Sequence, residues 1–253
     1  MQVRQAVLDL RAAPSDDAAL DSQLLFGERV EVHAQADGWV WVQSGWDDYQ
    51  GYCKLDALGE PVPPTHRVVV PRTFLYTAPD LKAPVISPVS LASEVTVKQF
   101  HDTSNGSYAE LVDGTALYAP HLAPVDHVQA DWISTAYGLL GTPYLWAGRS
   151  AMGADCSAFV QLALRMAGTF AFRDSDMQAA TLGEELDPDT PLAELQAGDL
   201  VFWRGHVGLV STSNNLVHCN ARNMSAVEEP LDEAVERIAN LYERPTGLRR
   251  VGI

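Results

Sequence analysis

Two separated blocks in the first half of the chain fall into one register. Leu10-Arg11-Ala12-Ala13-Pro14 lies over Leu75-Tyr76-Thr77-Ala78-Pro79 at an offset of 65, and the same offset sets Glu28-Arg29-Val30-Glu31-Val32 on Ser93-Glu94-Val95-Thr96-Val97. One offset serving two blocks marks a duplicated module, which confines residues up to about 125 to small repeated units. Each copy offers short alternating runs, such as Val30-Glu31-Val32-His33 and Trp39-Val40-Trp41-Val42, divided by Asp-Gly or Gly-rich turns. That is the pattern of half-buried strands in a small β-barrel. Pro61-Val62-Pro63-Pro64-Thr65 supplies a stiff joint, and a second boundary lies near Ala123-Pro124-Val125-Asp126. The expected division is therefore 1–62, 65–125 and 126–253.

The period changes in the last segment. Gln129 to Leu140 reads as a helix closed by Gly141 and Pro143, and Gly153-Ala154-Asp155-Cys156-Ser157-Ala158 reads as a turn that delivers a cysteine to a second, apolar helix. Gly168 is its left-handed stop. Cys156 falls in the first turn of that helix, where unpaired N–H groups and the positive dipole end favour thiolate and can hold an oxyanion. A lone cysteine is more often core filler, so a base is needed. Ala197–Trp203, His206–Val210 and Leu216–Ala221 read as successive strands, which lets one site hold both His206 and His218. An imidazole can orient a second imidazole as a carboxylate does. Phe172 to Ala180 reads as a polar turn entering another helix, and the charged, partly periodic stretch from Glu229 to Glu243 suggests no chemistry. Helices followed by antiparallel strands make this segment α+β.

Composition narrows the partners. Asp and Glu number 33 against 17 Lys and Arg, a formal charge of −16, which argues against nucleic acid and against anionic membrane surfaces. Three widely spaced cysteines form neither a disulfide framework nor a paired metal motif, and the chain is expected to live reduced. Cys156, His206, His218 and Cys219 make a poor zinc set, because neighbouring His218 and Cys219 on a strand point to opposite faces. No metal or cofactor is expected. Charges within Met1–Arg11 interrupt what would have to be the apolar core of a secretory signal, and no stretch reaches membrane-spanning length, so the expected location is cytoplasmic.

Four ordered blocks carry a resemblance: Gly141-Thr142-Pro143-Tyr144-Leu145-Trp146-Ala147-Gly148, Asp155-Cys156-Ser157-Ala158-Phe159-Val160-Gln161, Gly198-Asp199-Leu200-Val201-Phe202-Trp203, and Gly205-His206-Val207-Gly208-Leu209-Val210. Together they resemble the NlpC/P60 cysteine peptidases, with Ala158 for the family's usual Gly and Ala147-Gly148 for a double Gly. The resemblance implies Cys156 as nucleophile, His206 as base, His218 as third polar residue and Tyr144 near the oxyanion. The repeated module resembles the bacterial SH3 domain, closely in the first copy and in degenerate form in the second. The expected fold is an α+β papain-like catalytic domain preceded by two small all-β SH3-like barrels.

SH3 modules ahead of such a domain resemble the γ-D-glutamyl-L-diamino acid endopeptidases, which act on murein peptides with a free N-terminal L-Ala. This implies substrate contacts from Asp155, Ser157, Ser175, Tyr49 and Glu28. The implied partner is a released murein tripeptide or tetrapeptide, L-Ala-γ-D-Glu-diamino acid, and the implied role is cell-wall peptide recycling. Two alternatives stand beside it: an amidase or acyltransferase on the same fold, and a non-catalytic peptidoglycan-binding protein. The second has against it that the nucleophile, both histidines, Asp155 and Ser157 are all retained.

Overall fold

Alternation in the first half of the chain is realised as two five-stranded antiparallel sheets. The computed structural model describes residues 1–252, and they fall into two units: residues 1–127 with 149–152, and residues 128–148 with those from 153 onward. In the first unit one sheet runs in the order Leu20–Leu25, Val7–Arg11, Gln50–Lys54, Trp39–Ser44, Val30–Ala36. The other runs Val85–Ser90, Arg72–Tyr76, Ala116–Tyr118, Gly106–Leu111, Val97–Thr103. The two orders are the same, and the first two strands of each copy are displaced by the offset of 65 read from the sequence.

Side-chain alternation explains how each sheet closes on a core. Leu8 and Leu10 point inward from Val7–Arg11 and join Val30, Val40, Val42 and Cys53. Phe26 instead packs among Val68, Leu75, Val89 and Leu117. Gly27 permits this crossing. It takes φ +80°, and a Cβ there would lie 1.8 Å from the Glu94 carbonyl oxygen, so neither the backbone angle nor the space admits another residue. The unit also holds a fully buried cation. Arg149 donates to both Glu28 oxygens and to Asp47 Oδ2, each at 2.7 Å, and its guanidinium lies 4.4 Å from the centroid of the Trp46 ring.

The second unit is built from four helices and a six-stranded antiparallel sheet. Helix α1 (Trp132–Gly138) begins after Asp131, whose side chain accepts from Ser134 N. It starts later than the expected Gln129, because the cap that opens it is Asp131; the Gln129 amide bonds the Met166 carbonyl. Helix α2 (Cys156–Met166) is capped by Asp155. It ends as anticipated at Gly168, φ +73°, with Gly168 N on Arg165 O and Thr169 N on Leu164 O, the paired bonds of a Schellman stop. Apart from Arg165 the helix is buried on every side, as befits one that is apolar all round. Helices α3 (Ser175–Thr181) and α4 (Leu231–Leu241) follow. Among the described residues no helix is long and apolar enough to cross a membrane.

The sheet order is Glu184–Glu185, Gly247–Arg250, Asp199–Trp203, His206–Val210, Asn215–Asn220, Ser225–Pro230. Gly205 at φ +72° closes the hairpin that pairs Trp203 with His206. Leu231, Ala234, Val235 and Ile238 of α4 pack against Val201, Val210, Leu216 and Leu248, while α2 packs against His206–Val210 and Asn215–Asn220. At Gly208 a Cβ would meet Leu216 Cδ1 at 2.5 Å and His218 Cβ at 3.3 Å. The bare glycine is what lets His218 stand so close to the strand that carries His206.

Candidate active site

Asp155 fixes the start of α2 by accepting from Ala158 N at 2.8 Å, and this places Cys156 in the first turn. The Cys156 thiol lies 3.9 Å from the Gly205 carbonyl, and the Val207 and Ser157 amides donate toward its sulfur. The backbone on either side of His206 thus faces Sγ, which sets the hairpin turn that carries His206 against the cysteine. The helix terminus was expected to favour thiolate, but burial decides otherwise. Desolvation, with the Asp155 charge adding to it, pushes the Cys156 thiol up to about 12 against the opposing amides and Arg173. Burial likewise pushes His206 down to about 3, with His218 and Arg237 acting in the same sense. Both shifts run toward the uncharged forms, thiol and imidazole.

A chain of groups extends behind His206. Its Nε2 lies 2.8 Å from His218 Nδ1, His218 Nε2 lies 2.8 Å from Glu229 Oε1, and Arg237 donates to that same carboxylate oxygen. The hydrogen bond from His218, together with the neighbouring Arg237, holds Glu229 below the usual carboxylate range, so Glu229 is an acceptor. Glu229 as acceptor calls for a hydrogen on His218 Nε2, a nitrogen that Asn220 Nδ2 also approaches at 3.0 Å, and His218 then presents the Nδ1 lone pair to His206 Nε2–H. This leaves the Nδ1 lone pair of His206 for the thiol proton. Glu229 and Arg237 come from the stretch to which the sequence suggested no chemistry. The strand register explains the contact: Leu216 pairs with Glu229 and His218 with Val227, a diagonal that puts Glu229 within reach of His218.

Tyr144 sits on a loop tied down by its own amide to Met224 O and by Leu145 N to Ala154 O. Burial first, then the charges of Cys156 and Asp155, push its hydroxyl up to about 12, so it remains a donor. In the same loop Ala147, standing where the NlpC/P60 pattern has Gly, takes φ +59°.

The two residues flanking the nucleophile are locked to a third that the sequence did not suggest. Arg173 donates to Asp155 Oδ1 at 3.0 Å and Oδ2 at 2.6 Å, to Ser157 Oγ at 2.9 Å and to the Gly148 carbonyl. Ser157 Oγ in turn donates to Asp155 Oδ1. Asp155 Oδ1 thus accepts three hydrogen bonds and Oδ2 one. Ser175 opens α3 and is buried. Glu28 and Tyr49 belong to the first unit. There Glu28 accepts from Leu25 N, Ser44 Oγ and Arg149, and Tyr49 packs on the barrel core. Cys219 is fully buried, its thiol 3.1 Å from the Ala154 carbonyl.

A cavity of about 610 Å³ opens beside His206, with Tyr144, Gly205, His206 and His218 in its wall. Residues 141–240, which span every element of this site from the Tyr144 loop to Arg237, match the NlpC/P60 family, and residues 10–58 match the bacterial dipeptidyl-peptidase Sh3 domain. The chain carries an NlpC/P60 domain and a bacterial SH3 domain. Dipeptidyl-peptidase 6 of Lysinibacillus sphaericus is 26% identical over 246 residues, covering 89% of this chain and 89% of the relative. Gamma-D-glutamyl-L-lysine dipeptidyl-peptidase of Bacillus subtilis (strain 168) is 28% identical over 229 residues, 83% of this chain and 75% of the relative. Among solved structures, an NlpC/P60 family protein from Bacillus cereus ATCC 10987 superposes with a TM-score of 0.80 at 22% identity, covering 98% of both chains. The match to the NlpC/P60 family, a cysteine peptidase family, takes in Cys156, His206 and His218 together.

Proposed function

We propose that the protein hydrolyses the bond between γ-D-glutamate and a diamino acid in murein peptides whose N-terminal L-alanine is free. The observation that carries this reading is the Cys156 thiol enclosed by Gly205 and Val207, with His206 between them and His218 behind. With thiol and imidazole both shifted toward their uncharged forms, proton transfer to His206 Nδ1 accompanies attack of Sγ on the carbonyl carbon. The C=O π pair moves to the oxygen, and the Cys156 amide and the Tyr144 hydroxyl donate to that oxyanion. Loss of one such donor costs ~10²–10³ in rate. Collapse expels the diamino acid nitrogen, which takes the proton from His206, and water then hydrolyses the thioester with His206 as base.

Selectivity for a free amine is supported by the unequal load on Asp155. With three hydrogen bonds on Oδ1 and one on Oδ2, the carboxylate keeps acceptor capacity at Oδ2 for an ammonium. Ser157 and Ser175 supply hydroxyls in the same unit. A charge buried without such partners costs several kcal/mol, in order of magnitude, so an acylated N-terminus forfeits the site. Such a preference suits released peptides of a recycling route rather than intact polymer, and the bond proposed is the one named for the Bacillus subtilis relative, a gamma-D-glutamyl-L-lysine dipeptidyl-peptidase. The test is hydrolysis of L-Ala-γ-D-Glu-meso-diaminopimelate beside its N-acetylated form, with products identified by mass. Wild type should release L-Ala-D-Glu from the free-amine peptide only, and Cys156→Ala should release none. Equal cleavage of both peptides removes the amine site, and a new amide among the products makes the enzyme a transferase.

A further inference from the structure

The cavity beside His206 is cationic in a chain that is otherwise strongly acidic. Its wall holds three guanidiniums, Arg204, Arg222 and Arg237, against one carboxylate, Glu243, whereas the whole chain has 33 acidic residues for 17 basic. The three arginines differ in what they already hold. Arg237 is committed to Glu229, and Arg204 faces Glu243 at 3.9 Å. Arg222 is exposed and makes no side-chain hydrogen bond or ion pair among the described residues. It stands in the turn that follows Asn215–Asn220, the strand that carries His218.

Position relative to the chemistry says which part of a substrate this cavity meets. Its wall includes Tyr144, Gly205 and His206 but neither Asp155 nor Ser157, so it borders the base rather than the residues flanking the nucleophile. In acyl transfer the protonated base must reach the leaving nitrogen, and the departing half of the substrate therefore lies on the side of His206. Two exposed aromatic side chains, Trp146 at 72% and Tyr242 at 83%, belong to the same wall and offer apolar surface to an alkyl chain. The volume falls within the range of small-ligand clefts.

We propose that this cavity is the subsite for the leaving group and that Arg222 binds a carboxylate of the departing diamino acid, while Trp146 and Tyr242 cover its alkyl chain. The assignment rests on the acyl and leaving halves of the proposed function. It makes the enzyme select its substrate from both ends: an ammonium on the acyl side, a carboxylate on the leaving side. A planar guanidinium suits a carboxylate bidentately, which a lysine cannot match. At an exposed site the attraction is screened by salt.

The test separates binding from turnover. Calorimetric titration of wild type with meso-diaminopimelate and with its bis-carboxamide reads the cavity directly, whether or not the chain cleaves the proposed peptide. The free acid should bind ~5–20-fold more tightly than the amide. Arg222→Gln should abolish that difference, Arg222→Lys should restore part of it, and 0.5 M salt should shrink it. Equal affinities for acid and amide, or an Arg222→Gln protein that still prefers the acid, overturns the proposal. In turnover, Arg222→Gln should raise KM for L-Ala-γ-D-Glu-meso-diaminopimelate with little change in kcat. A wild-type protein that shows the binding preference yet leaves this peptide intact would keep the carboxylate site and remove the proposed reaction.

Discussion

Glu229 decides which nitrogen of His206 is the base, although it touches neither cysteine nor substrate. Its anionic oxygen 2.8 Å from His218 Nε2 keeps the hydrogen there, and the choice passes along the chain to His206. In Glu229→Gln the amide can turn its NH₂ to His218 Nε2, which drives the His218 hydrogen to Nδ1. His206 must then accept at Nε2 and carry its own hydrogen on Nδ1, where the thiol proton should go. A wrong tautomer in a Ser-His-Asp triad costs ~10⁴ in kcat. Here the lesion is one residue further from the base, and we expect kcat to fall ~10–10²-fold with KM unchanged. Glu229→Asp should recover part of the loss, because it keeps the acceptor. If KM rises as much as kcat falls, or if Asp is no better than Gln, Glu229 is a structural residue of the strand and not a positioning one.

At the scale of elements, the start of α2 and the segment leading to α3 are joined by one buried ion pair. Arg173 and Asp155 are both buried and meet through two hydrogen bonds. Removing one member of such a pair strands the other, at ~3–5 kcal/mol. Arg173→Met should therefore destabilise the second unit by about that much in urea denaturation. Asp155→Asn keeps an N-cap side chain, so the double variant should lose much less than the sum of the singles; simple additivity would show that the pair is not coupled. Helix α2 itself was legible beforehand, since its N-cap, apolar run and left-handed stop are all local. So were the strands bearing His206 and His218, whose alternation and turns lie within a few residues. The partners of Arg173, Arg149 and Glu229 were not legible in the same way. Arg149 meets Glu28 at a separation of 121 residues, and no local period announces such a pair. The thiolate expectation failed for a related reason. A helix terminus is visible in sequence, but the burial that outweighs it depends on what the sheet lays over Cys156.

Across the whole molecule, burial of thiols sets how stability responds to alkali. Cys53 in the first unit, and Cys156 and Cys219 in the second, are each buried and each pushed up to about 12 from an ordinary value near 9, desolvation being the largest cause in every case. Above pH 9 the unfolded chain releases these protons while the folded chain keeps them, so the folded state binds more protons and stability must fall as pH rises. The stabilisation is fully present below pH 9 and is lost progressively towards pH 12. Each retained proton contributes about 1.4 kcal/mol per pH unit at the steepest; the second unit, with two such thiols, should soften roughly twice as fast as the first. Urea denaturation under reductant at pH 8, 9 and 10 reads this directly. The midpoint should hold between pH 8 and 9 and drop by pH 10, and Cys219→Ala should flatten the drop for the second unit by about half even though its midpoint at pH 8 is lower. An unchanged midpoint at pH 10 would mean that the thiols ionise in place, and Cys156 would then be a thiolate in waiting rather than a neutral nucleophile that His206 must deprotonate. Iodoacetamide supplies the matching chemical reading: with the thiol held neutral, alkylation of Cys156 at pH 8 should run well below the rate of a free cysteine.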